Sequence, residues 1–97
     1  MLELTDDILQ ELDEAGPDGT AAICRIQNPL GPQFWILFGR VPGSDTVTCV
    51  ADLGLGVAEL GSVSLRELQE FREGFDVTLE LDPEFADQGK PPEFFLE

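Results

Sequence analysis

Gln33-Phe34-Trp35-Ile36-Leu37-Phe38-Gly39-Arg40-Val41, then Pro42-Gly43-Ser44-Asp45, then Thr46-Val47-Thr48-Cys49-Val50-Ala51: this stretch decides the fold. Its first part packs Trp and Phe into a near-continuous apolar run, the pattern of a buried strand. The four turn residues have hairpin length, and the last part is β-branched and reads as the return strand. Upstream, residues 20–27 are rich in Ile and small side chains and read as a further strand. The loop Asn28-Pro29-Leu30-Gly31-Pro32 joins them to the apolar run. Three consecutive strands on short connections predict an antiparallel meander.

Working outward, Thr5 is an N-cap, and Asp6 and Asp7 follow it in the first turn, where the helix dipole favours anions. Ile8, Leu9 and Leu12 form a narrow apolar stripe on a helix over 6–14, which Gly16-Pro17-Asp18-Gly19 stops. After the meander, Gly54, Gly56 and Gly61 punctuate the chain, with a short strand at 57–60. Gly54-Leu55-Gly56 lacks the third glycine and the following helix of a dinucleotide fingerprint and reads as a bend. Ser64-Leu65-Arg66-Glu67 is a capping box that opens a helix over 65–73, with Leu65, Leu68 and Phe71 on its apolar side and Gly74 as C-cap. Residues 76–82 alternate, with Val77, Leu79 and Leu81 inward. The tail beyond Pro83 is expected to be irregular, with Phe94-Phe95-Leu96 docking on the core. The expected fold is α+β, one domain over 1–97, with a mostly antiparallel sheet of four to five strands and two helices on one face.

The composition narrows the function. The chain has 97 residues, 20 acids, 5 bases and no His, for a formal charge of −15. Such a molecule is a poor ligand for nucleic acid or an anionic membrane, both of which are polyanionic. Without His there is no Ser-His or Cys-His pair and no His metal ligand, and Tyr is missing too. Close carboxylate pairs arise by chance among so many acids, so no catalytic residue, cofactor or metal site is assigned, and the protein is read as a non-enzyme. At 42% hydrophobic content it is no disordered acidic tail. The first residues lack a signal-peptide pattern, and no apolar run approaches the roughly 20 residues of a spanning helix, so a cytoplasmic monomer is expected. Cys24 and Cys49 form no CxxC motif and read as buried thiols, and Trp35 reads as a core residue.

The charge is segregated. Residues 1–18 hold seven acids and no base, residues 19–58 two acids and two bases, and residues 59–97 eleven acids and three bases. The meander is therefore neutral between two acidic flanks. Three rows stand out: Asp6, Asp7, Glu11 and Glu14 on the first helix; Glu67, Glu70 and Glu73 on the second; Glu80 and Asp82 on the last strand, which begins at Asp76. Helical carboxylates at these spacings lie about 5–6 Å apart, and strand carboxylates about 6.6–6.8 Å. B-DNA presents one phosphate per 3.4 Å of each strand, so such rows suit a basic groove built for nucleic acid. Solubility, or adaptation to high salt, accounts for the acidity without any partner.

Glu59-Leu60-Gly61-Ser62-Val63-Ser64-Leu65-Arg66-Glu67-Leu68, followed by Leu79-Glu80-Leu81-Asp82 and Phe85, resembles an uncharacterised family of small proteins carried on plasmids, phages and integrated elements. The Trp35 strand is similar to that family's aromatic strand. Cys49-Val50-Ala51-Asp52 departs from its Phe-Gly-Leu segment, and Ser62-Val63 from an aromatic pair. The resemblance transfers no catalytic residue. It implies a setting in mobile DNA, where small acidic proteins look like anti-CRISPR and anti-restriction inhibitors, several of them DNA mimics. The expected partner is a basic nucleic-acid-binding protein, a CRISPR effector complex or defence nuclease in the host bacterium. An immunity protein or assembly adaptor is the alternative.

Overall fold

Five strands, β1 (Cys24–Gln27), β2 (Phe34–Arg40), β3 (Thr46–Asp52), β4 (Glu59–Ser64) and β5 (Glu80–Leu81), form one antiparallel sheet of order β4-β3-β2-β1-β5. The computed structural model describes residues 2–72 and 77–96. The Trp/Phe run, β2, lies at the centre of the sheet, and this is why its side chains are apolar on both faces. Trp35 and Leu37 join Cys24, Ile26, Val47 and Cys49 on one face, while Ile36 and Phe38 join Ala22 and Val50 on the other. Two helices, α1 (Asp6–Ala15) and α2 (Leu65–Glu70), cover the first face with Leu12, Leu65 and Leu68. Phe85 and the 3-10 turn Pro92–Phe95 cover the second, with Phe95 edge-on to Phe38 at 6.0 Å. The α+β class and the helices on one face follow the sequence; of the expected docking segment Phe94-Phe95-Leu96, Phe95 packs on the core while Phe94 and Leu96 stay exposed.

Four boundaries differ from the sequence expectation, each for a physical reason. Residues 20–23 precede β1 rather than extending it. Ala22 is instead tied to the C-terminal segment, donating to Lys90 O at 2.9 Å and accepting from Gly89 N at 2.8 Å. β4 covers Glu59–Ser64 instead of 57–60, because Gly61 to Ser64 continue the ladder with Thr46 to Cys49. α2 stops at Glu70, short of 73, where Phe71 turns extended (ψ 131°) and sets its ring edge-on to Trp35 at 6.2 Å. Arg72 donates to the Gln69 and Phe71 carbonyls at that end. The strand expected over 76–82 pairs with β1 only at Glu80 and Leu81, since β1 itself is four residues long. Glu73, Gly74 and Asp76 lie outside the described residues.

The β2–β3 ladder shifts register between Leu37 and Gly39, a bulge at Phe38. A side chain at Gly39 would run into the Gly16 carbonyl, so glycine lets the end of α1 rest on the bulge. Cys24 and Cys49 both pair with Leu37, from opposite sides. Two strand spacings separate them by ~10 Å, beyond the ~7 Å reach of a disulfide, and both are free and buried. Burial pushes the Cys24 thiol up to about 12, with Glu11 adding to the effect, and the Cys49 thiol up to about 11. Among the described residues no helix is long and apolar enough to cross a membrane.

Candidate protein-binding face

The geometry of α1 follows from its cap. The Thr5 hydroxyl accepts from Ile8 N at 3.2 Å, and the helix begins with Ile8, Leu9 and Leu12 turned to the sheet. Asp6, Asp7, Glu11 and Glu14 are then exposed. Residues 1–18 hold no base, but Asp13 finds one on the sheet. Arg40 of β2 donates to it through Nε at 2.6 Å and Nη2 at 3.2 Å, and Gly43 N adds a third bond at 3.3 Å. The Arg40 guanidinium holds the Asp13 carboxyl below the usual carboxylate range. Arg40 reaches the helix because the bulge re-aims it: it pairs with Val47, whose side chain lies on the helix face.

At α2 the capping serine is itself held. Ser64 Oγ accepts from Glu67 N at 3.2 Å, as its sequence predicts, and donates to Asp45. Asp45, in the β2–β3 hairpin, also accepts from Arg66 N at 3.0 Å through its side chain and from Leu65 N at 2.8 Å through its carbonyl. The Ser64 hydroxyl chiefly, and the Arg66 amide, lower the Asp45 carboxyl below its ordinary value. Glu67 and Glu70 are exposed on the same side of the sheet as the α1 carboxylates.

The third row lies elsewhere. Glu80 pairs with Gln27, which pairs with Phe34, so it faces the side away from the helices, where it accepts from Gln27 Nε2 at 3.2 Å. Asp82 meets Arg25 at 3.6 Å and accepts from Glu84 N at 2.9 Å, so its charge is already matched. The rows approach one another at the β5 edge, where Glu11 and Asp82 line a common cleft of about 550 Å³. Arg40–Asp13 and Arg25–Asp82 are the two ion pairs among the described residues. The meander's two arginines are thus each used on an acid from one flank. Asp6, Asp7, Glu11, Glu14, Glu67 and Glu70 make no ion pair among the described residues.

A feature the sequence reading missed lies beside α2. A groove of about 580 Å³ has Trp35 as its floor, Leu68 and Phe71 on one wall, and the β3–β4 connection on the other. Asp52 shapes that connection: one carboxylate oxygen accepts from the N–H groups of Gly54, Leu55 and Gly56 at 2.8, 3.1 and 3.3 Å. Leu53, Leu55 and Val57 are left facing solvent. Their signal was an apolar residue at every second position between glycines, which is also how an ordinary bend reads. Glu59 and Glu67 line the same groove. Among the described residues no three His, Cys, Asp or Glu side chains gather to hold a metal ion.

Fold and face together define a small acidic α+β protein that presents unpaired carboxylates and an apolar groove on the helix side of its sheet. The chain belongs to the family described as a protein of unknown function (DUF2958), whose model matches residues 3–94. No curated protein and no solved structure matches it.

Proposed function

We propose that the protein inhibits a host defence system as an acidic DNA mimic, occupying the basic nucleic-acid-binding surface of a CRISPR effector or defence nuclease. The supporting observation is the shared side of the two helical rows. Asp6, Asp7, Glu11 and Glu14 of α1 and Glu67 and Glu70 of α2 are exposed over one face of the sheet with no cation pairing them among the described residues. Carboxylates paired within the molecule would be spent, whereas these keep their full attraction for an external cationic groove. The resemblance to proteins of plasmids and phages supplies the class of partner, and the charge supplies the mode of binding.

The test is binding to, and inhibition of, purified defence nucleases. The complex should weaken steeply with salt and be displaced by duplex DNA. Glu67→Lys with Glu70→Lys, and Asp6→Lys with Asp7→Lys, should each lower affinity at least tenfold with an unchanged circular-dichroism spectrum. Inhibition that survives reversal of each row in turn overturns the proposal. The apolar groove favours a second reading, an immunity protein or adaptor, because duplex DNA presents no such recess to copy. That protein would neutralise one toxin or join one assembly without competition from DNA.

A further inference from the structure

The two edges of the sheet are built differently. The β5 edge is two residues long, carries Glu80 and is followed by Asp82-Pro83. Short length, charge and proline are the usual means of deterring strand addition. The β4 edge is six residues, Glu-Leu-Gly-Ser-Val-Ser, with one charge and no Lys, Arg or Pro, and its first four residues are exposed. Beside it Leu53, Leu55 and Val57 are 61%, 84% and 61% exposed. Such a cluster of exposed aliphatics marks an interaction surface. Residues 59–63 of β4 all line the apolar groove, so the groove follows the strand's backbone and not merely one of its faces. The charged side chains among its described lining residues are both acidic, Glu59 and Glu67. A second copy of this chain is the wrong occupant, because it would set those acids against themselves in a molecule of charge −15.

We infer that β4 is a docking strand for an extended, basic segment of a partner protein. The segment adds to the free edge of β4 as a sixth strand. Its alternate apolar side chains enter the groove over Trp35, and its Lys or Arg side chains meet Glu59 and Glu67. Main-chain hydrogen bonds along the edge supply affinity, and the groove with its acids selects the sequence. This rests on the reading of the protein as a binder of a basic partner and adds where the partner's chain is held.

Trp35 is the single tryptophan and forms the groove floor, so its emission reports occupancy directly. The probe is a nine-residue synthetic peptide alternating Val and Lys, compared with a Val/Glu peptide and with a Val/Lys peptide N-methylated at alternate residues. The Val/Lys peptide should shift Trp35 emission saturably and perturb the amide resonances of residues 59–63. Leu55→Asp and Glu67→Lys, both at exposed positions lining the groove, should each weaken it at least tenfold, as should N-methylation. Asp6→Lys with Asp7→Lys on α1 should change it less than threefold. Equal weakening by the α1 reversal would mean charge attraction alone and overturn the inference. So would indifference to N-methylation, or a homodimer in sedimentation that Leu55→Asp dissolves. A nuclease inhibited through α1 with no peptide bound at β4 removes this inference and leaves the proposed function standing. Peptide bound at β4 with no nuclease inhibited does the reverse.

Discussion

Asp13 and Asp45 each tie a helix to the central hairpin, and each carboxyl sits below its ordinary value because its partners favour the charged form. For a group whose folded value is depressed, the stabilisation is present above the unfolded value of about 3.9. It is lost as pH falls through the lower folded value. Asp13→Asn and Asp45→Asn should therefore both destabilise the protein at pH 7, and the gap from the parent should be smaller at pH 3. Urea unfolding at the two pH values measures this, and a gap of equal size at both would sink the assignment. The caps Thr5 and Ser64 were legible in the sequence because their partners are three residues away. Asp45 was not, because its partners Ser64 and Arg66 lie 19 and 21 residues on and come near only when β3 and β4 pair. Arg40 was equally hidden, since a bulge that no local pattern announces turns it toward α1.

Among the elements, β2 carries the core and the β3–β4 connection carries solvent-facing apolar groups. Phe38 is fully buried between the sheet and Phe95, and Phe38→Ala should cost about 3–5 kcal/mol. Leu55 is the most exposed large hydrophobic among the described residues, and Leu55→Ala should stay within about 0.5 kcal/mol of the parent. Chemical denaturation separates the two, and a large loss at Leu55 would mean that the groove is part of the folding core. The strength of the β2 signal came from burial on both faces, which leaves no polar residue to blur the run. β4 gave a weak signal for the opposite reason: an edge strand of Gly and Ser with little to bury has almost no hydrophobic period to read. The second helix was read too long because Phe71 keeps helical spacing with Leu65 and Leu68, while its ring is claimed by Trp35.

At the scale of the molecule, the net charge was legible at once, but its effective distribution was not. The arginines of the neutral meander neutralise Asp13 and Asp82, so free negative charge concentrates on the solvent side of the helices and along the tail. The molecule spans 36 × 29 × 22 Å. At 0.01 M salt the screening length is about 30 Å, so every carboxylate feels nearly every other, while at 1 M it is about 3 Å. Raising NaCl between those limits at pH 7 should raise the melting temperature. Below about pH 4 the loss of the Asp13 and Asp45 contacts should lower it. A melting temperature independent of salt would show that the acids are too far apart to repel.

The placement of Cys24 and Cys49 on either side of Leu37 gives the protein an internal clock for its own opening. Each thiol sits inside the sheet with its reactive thiolate suppressed at neutral pH. Cys24 lines the cleft at the β5 edge with Leu81, and Cys49 lines the groove beside α2. An added disulfide reagent therefore reaches them by different local openings, Cys24 as β5 frays and Cys49 from the groove side, and the two thiols should label at different rates.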